Sequence, residues 1–198
     1  MRRLAALVAA GSVLGGCAHT SVVDDGLNYA ERQARLGAIA DWNLRGQLII
    51  DTGERRERVR VAWEQRSDDL SLTVRGVVLG AGSFRIAGNA EQLVIEGRGE
   101  SRVLADPEID LSREVGWWLP VTSLNHWLLG QPDTDYPVRS SRGTAGTLAT
   151  LAQRDWQIVY REYQLANGLL VPREATLRHE SLELRLTITE WQPTDAEP

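Results

Sequence analysis

The sequence predicts a mainly β fold: a curled antiparallel sheet of about eleven short strands with helices laid over its apolar face. Three observations lead there. Apolar and polar residues alternate with a period of two through most of the chain. Turn-forming Asn, Asp and Gly clusters punctuate those runs. After one helix near the start, helical spacing returns only between residues 106 and 129. Alternation leaves each strand with one dry face, and this many one-faced strands curl until those faces share an interior. Helices that lie over such an interior as a lid, and do not plug it, leave a greasy cavity.

The elements follow in order. Residues 27–41 place Leu27, Ala30, Ala34, Ala38 and Ile39 on one face at helical spacing. From Trp42 the period falls to two: Val59, Val61 and Trp63 alternate with Arg58, Arg60 and Ala62, then Leu70, Leu72 and Val74 with Ser71, Thr73 and Arg75. Short strands are expected at 83–87, 92–97 and 100–105, separated by Gly88-Asn89 and the Gly97/Gly99 pair. Asp106-Pro107 reads as an N-cap and first-turn proline opening a helix through Val115, before the cluster Gly116-Trp117-Trp118-Leu119-Pro120. A second helix over 122–129 carries Leu124, Trp127 and Leu128 and stops at Gly130, with Pro132 beyond. Strands resume at 136–140, 144–151, 155–163, 170–178 and 180–191, with Asn167-Gly168 as a hairpin turn. In the last, Leu182, Leu184, Leu186 and Ile188 alternate with Glu183, Arg185, Thr187 and Thr189.

The N-terminus carries a separate signal. Arg2 and Arg3 precede an apolar stretch from Leu4 to Leu14, too short to span a bilayer, which runs into Leu14-Gly15-Gly16-Cys17. This reads as a bacterial lipoprotein signal: residues 1–16 removed, Cys17 acylated on its sulfur and new amino terminus, residues 17–26 a tether, and 27–198 a single domain. Ala18 follows the cysteine where an aspartate would resemble an inner-membrane retention signal, which favours the outer membrane. Loss of Arg2 and Arg3 takes the net charge from −5 to about −7, a poor balance for binding nucleic acid. Cys17 is the one cysteine, so no disulfide forms within the chain.

Composition excludes much chemistry. All 22 basic residues are arginine, so neither a phosphate loop ending in Gly-Lys nor a Schiff base is available. His19, His126 and His179 lack metal-ligand spacing, and no G-x-S-x-G elbow is present. No cofactor, metal or catalytic residue is expected. The run Arg55-Arg56-x-Arg58-x-Arg60 reads first as a solvated strand face.

Several motifs, in order and at their spacing, resemble the LolB family of outer-membrane lipoprotein receptors from about Trp42 to Trp191. They are Trp42-x-Leu44-x-Gly46, Trp63, Val77-Val78-Leu79-Gly80, Trp117-Trp118-Leu119-Pro120 and Leu124-x-x-Trp127-Leu128-x-Gly130-x-Pro132. They continue with Trp156-x-Ile158-x-Tyr160-x-x-Tyr163 and Leu184-x-Leu186-x-Ile188-x-x-Trp191. The resemblance implies an incomplete, half-open barrel of eleven antiparallel strands with helices over an apolar cavity for acyl chains. It also implies a monomer on the periplasmic face of the outer membrane that accepts lipoprotein cargo from the periplasmic carrier LolA and inserts it into outer-membrane lipid. The family's protruding loop has a leucine after a proline; here the leucine falls on Leu79 and Val78 replaces the proline, which would have fixed the backbone there.

Val77, Val78 and Leu79 lie between a strand and Gly80-Ala81-Gly82, where an apolar tip signals a contact surface. At a bilayer such a tip supplies roughly 1–2 kcal/mol, enough to orient a protein and too little to hold it. Holding falls to the acyl chains on Cys17. Trp117, Trp118, Leu124, Trp127 and Leu128 are the candidates for cavity wall or lid, against the simpler reading of aromatic core. Two other functions compete: a lipocalin-like lipoprotein that binds or carries free lipid, and an envelope-lipid hydrolase, which lacks a visible nucleophile arrangement.

Overall fold

A computed structural model describes residues 24–76 and 82–193. Eleven strands form one antiparallel sheet in the order β6-β5-β4-β3-β2-β1-β11-β10-β9-β8-β7. Strands β1 (Asp41–Asp51), β2 (Arg56–Arg66), β3 (Asp69–Arg75), β4 (Phe84–Gly88), β5 (Leu93–Gly97) and β6 (Glu100–Leu104) make one meander. The other comprises β7 (Arg139–Arg142), β8 (Leu148–Gln153), β9 (Trp156–Ala166), β10 (Leu169–His179) and β11 (Leu182–Pro193). The first and last strands join the two halves, with Trp42 opposite Pro193 and Asp51 opposite Glu183. β6 and β7 are the two edges and do not pair, so the barrel is incomplete.

Among the described residues three α-helices accompany the sheet: α1 (Tyr29–Gly37), α2 (Pro107–Val115) and α3 (Val121–Leu128). The first is shorter than its apolar spacing suggests because a capping box fixes its start. Asn28 Oδ1 accepts from the Glu31 N–H at 3.0 Å and Glu31 Oε2 accepts from the Asn28 N–H at 3.1 Å. α2 starts as read, with Asp106 accepting from the Ile109 N–H and Pro107 in the first turn, and it stops at Gly116 with φ +87°.

Two strands begin later than the alternation suggests. Backbone expected in a strand from 136 is held as a loop by Gln153, whose Nε2 donates to the carbonyls of Asp133 (2.6 Å) and Tyr136 (2.8 Å). Ahead of β8, Thr144–Gly146 forms a tight turn with Ala145 and Gly146 at positive φ.

The dry faces meet as predicted: Trp42, Leu44 and Ile50 of β1, Val59, Val61 and Trp63 of β2, and Leu182, Leu184, Leu186 and Ile188 of β11 are all buried. Trp42 sits between Trp63 and Trp191, with ring centroids 5.9 and 5.0 Å away. The arginines at 55, 56, 58 and 60 are exposed, as a solvated strand face requires.

Candidate functional site: an apolar cavity under two helices

The concave face of β1–β4, β10 and β11 and the segment from α2 to α3 line a half-open cavity of about 100 Å³ with no polar atom exposed on its wall. The sheet contributes Leu44, Leu48, Ile50, Val61, Trp63 and Leu72, among others, and the cover contributes Val115, Trp117, Leu119, Leu124 and Leu128. Period-two alternation explains the first set. Helical spacing, with Leu124 and Leu128 one turn apart, explains the second.

Of the cover residues singled out from sequence, Trp117, Leu124 and Leu128 come together on the cavity wall. Trp118 lies outside it, under the guanidinium of Arg154, 5.3 Å from the ring centroid. Trp127 also lies outside it, 2 % exposed, donating from Nε1 to Gln153 Oε1 at 2.9 Å. Cys17 and the Val77-Val78-Leu79 tip fall outside the described residues. Val74 of β3 and Phe84 of β4, paired across the two strands on either side of those residues, both line the cavity.

Polar side chains hold the cover from outside. Arg154, in the β8–β9 turn, places Nη1 3.0 Å from Glu108 Oε1 and Nη2 2.6 Å from Oε2, a fork across α2. The same Nη1 reaches Ser123 Oγ at 3.0 Å and Thr122 Oγ1 at 3.3 Å at the start of α3. Tyr136 stacks on the guanidinium, its ring centroid 4.2 Å from the central carbon. Burial opposes the charge, but Glu108 keeps the Arg154 pKa above the ordinary arginine value. Deeper in, Ser123 Oγ donates to Asp133 Oδ2 at 2.6 Å, and Tyr160 donates to the Trp127 carbonyl at 2.9 Å. Full burial pushes the Tyr160 phenol well above its usual pKa, so it acts as a neutral donor. Sequence reading found none of this network. In the sequence Arg154 lies merely between two expected strands, and nothing local couples it to a carboxylate 46 positions earlier.

A second hollow of about 580 Å³ lies between the β2–β3 and β4–β5 turns and the outer side of α3. Its wall includes Asp68, Glu91, His126 and Asp135. Among the described residues no group of three His, Cys, Asp or Glu side chains could hold a metal.

An open antiparallel half-barrel with helices laid over an apolar hollow defines the structural class. Comparison with known proteins narrows that class. Residues 40–191 match the family model described as outer membrane lipoprotein LolB. The outer-membrane lipoprotein LolB of Nitrosococcus oceani is 36 % identical over 166 residues, covering 83 % of this chain and 82 % of that one. That of Tolumonas auensis is 31 % identical over 182 residues, 91 % of each. The chain belongs to the LolB family, the outer-membrane lipoprotein receptors of the Lol pathway, and is a transport receptor and not an enzyme. Among solved structures, a DUF1329 family protein from Desulfovibrio piger shares the fold, with a TM-score of 0.52 at 8 % identity over 86 % of this chain and 92 % of that one.

Proposed function

We propose that this receptor, anchored in the outer membrane by acyl groups on Cys17 and facing the periplasm as a monomer, accepts lipoproteins from a LolA-like carrier. It shelters their acyl chains in the apolar cavity and passes them to outer-membrane lipid. The observation that carries this reading is the cavity itself, whose wall exposes apolar atoms alone beneath α2 and α3. A bare hydrocarbon chain leaves no polar group unpaired there, whereas a polar ligand would strand its own hydrogen bonds.

Transfer runs downhill in affinity, from carrier to receptor to bilayer. Each buried methylene contributes about 0.8 kcal/mol, so small differences in how much chain each site covers set a direction without nucleotide energy. The Val77-Val78-Leu79 tip is the bilayer-contacting end of this route. Its root residues Val74 and Phe84 line the cavity, so an acyl chain leaving past them meets the lipid that the tip disturbs.

The deciding experiment mixes the receptor lacking Cys17 with a soluble carrier loaded with a lipoprotein, then adds liposomes. Cargo should leave the carrier, appear on the receptor, and move to the liposomes. Cargo that never leaves the carrier, while free fatty acid still binds the receptor, would replace this reading with that of a lipid carrier.

A further inference from the structure

One half of the outer sheet face carries more positive charge than its carboxylates answer, on a chain whose net charge is −5. Arg56, Arg58 and Arg60 alternate along β2 with the buried Val59 and Val61, so they stand together on the convex side, all three exposed. Neighbours on one face of a strand are about 7 Å apart, inside a Debye length, and the three act as a single field. Arg75, the last residue of β3, lies directly opposite Arg60 in the register. None of these four guanidinium groups is paired with a carboxylate among the described residues.

The neighbouring strands do little to offset them. Asp51 lies across from Arg56, but its carboxylate accepts from the Gly53 N–H at 3.0 Å. Glu183 is shared by Arg178 and Arg185, so one carboxylate answers two cations. Toward the other end of β1, β2 and β3 the sign reverses at Asp41, Glu64 and Asp69, and Arg66 there donates to the Trp42 and Gln65 carbonyls. A solvated strand face explains why the basic half is exposed. It does not explain the Arg60–Arg75 pair, because like charges directly opposite each other on a sheet oppose folding. Charge that a fold carries against its own stability calls for a partner.

We propose that this basic half-face is a docking surface for a bilayer leaflet that carries anionic headgroups. Its place in the chain selects lipid over an acidic protein. β3 ends at Arg75, and within two residues the chain continues into Val77-Val78-Leu79. A lipid surface meets both kinds of side chain at once, with phosphate for the cations and hydrocarbon for the apolar groups in one layer. Guanidinium forks suit phosphate oxygens, and each arginine near an anionic surface is worth roughly fivefold in binding. Together they fix which side of the receptor leans on the leaflet, with the helices of the concave side turned away from it. That this docking serves cargo delivery rests on the function proposed above; the attraction for anionic lipid does not.

The test uses residues 17–198 with Cys17→Ser, which removes the acyl anchor, and liposomes of phosphatidylcholine with or without phosphatidylglycerol. Cosedimentation should show binding at least roughly tenfold tighter when phosphatidylglycerol is present, fading as salt screens the exposed charges. Arg60→Gln with Arg75→Gln should lose roughly tenfold or more of that binding while the urea midpoint stays level or rises, since the like-charged pair is gone. Arg56→Gln with Arg58→Gln, which leaves that pair in place, should weaken binding to a similar extent, and Arg60→Lys with Arg75→Lys should keep most of it. Equal binding to both kinds of liposome, or glutamine variants that bind as the parent does, overturns the proposal. Glutamine variants that bind lipid normally but no longer take cargo from the carrier would give the face to an acidic protein instead. If the variants lose lipid binding and the parent passes no cargo to either kind of liposome, the handover function fails and the docking surface stands.

Discussion

The carboxylate of Asp25 accepts a hydrogen bond from the backbone N–H of Leu170 at 2.9 Å, 145 positions along the chain, at the first residue pairs of the β9–β10 hairpin. Arg32 of α1 forks onto the same carboxylate, with Nε and Nη2 at 2.7 and 2.6 Å, and both side chains are almost wholly buried. The segment before α1 is therefore clamped to the far half of the sheet, at a residue assigned from sequence to the tether.

Asp25→Asn should destabilise the fold by about 3 kcal/mol, because it strands a buried guanidinium. The Arg32 hydrogen bond, helped by the Leu170 and Leu27 N–H groups, holds the Asp25 carboxyl well below the ordinary carboxylate range despite burial. A folded pKa below the unfolded one stabilises the fold above the unfolded value of about 3.9, and that contribution fades as pH falls toward the folded value. Urea unfolding at several pH values should thus show a constant gap between parent and variant from pH 7 to about pH 5 that shrinks below about pH 4.

Gly46→Ala should cost about 1–3 kcal/mol, read by the urea midpoint, and leave the sheet assembled. A Cβ at Gly46 would stand 2.5 Å from the Thr187 carbonyl oxygen and 3.2 Å from Ile188 Cα, both backbone atoms that move only if the strand pair separates. The register between β1 and β11 slips here, with Arg45 opposite Glu190 and Gly46 opposite Ile188. An unchanged midpoint would mean that the bulge yields freely.

That bulge shows how much of the fold is legible from residues alone. The spacing Ile188-x-x-Trp191 breaks the alternation of β11, and Gly46 interrupts that of β1. In three dimensions these are two sides of one irregularity, where Thr189 is the extra residue and its looping-out returns Trp191 to the buried face against Trp42. Strand count, both covering helices and most of the cavity wall follow from patterning, because burial of one face is what the pattern encodes. The Arg154 network and the Asp25 clamp do not. Each joins polar groups far apart in sequence, and an arginine on a turn looks identical whether it faces water or a carboxylate. How far the cavity is filled is equally hidden, since it depends on side-chain volumes meeting across the curl.

Leu48→Trp should fill the cavity. Leu48 is a partly buried wall residue, so an indole can enter the hollow without displacing a fully packed neighbour, and stability should change by no more than about 1–3 kcal/mol. Fluorescent fatty acid should then bind at least roughly tenfold more weakly, a loss of about 1.4 kcal/mol. Leu186→Ala, which enlarges the same space, should cost about 2–5 kcal/mol of stability yet keep binding. Equal binding by both variants would place the acyl chain elsewhere.

Leu79→Glu separates uptake from delivery. If the Val77-Val78-Leu79 tip touches lipid, a carboxylate there removes the roughly 0.5 kcal/mol that leucine contributes and adds a desolvation cost wherever the tip enters the bilayer. The cavity wall is untouched, because Val74 and Phe84 at the root keep their places. Cargo capture from the carrier should therefore proceed at the parent rate, while transfer from receptor to liposomes slows by roughly tenfold or more. Val78→Pro offers the opposite change: by fixing the backbone ahead of Leu79 it should hold the tip in one conformation and leave delivery equal to or faster than that of the parent. A glutamate variant that delivers cargo at the parent rate would remove the tip from the pathway and leave the mouth of the cavity as the surface that meets the membrane.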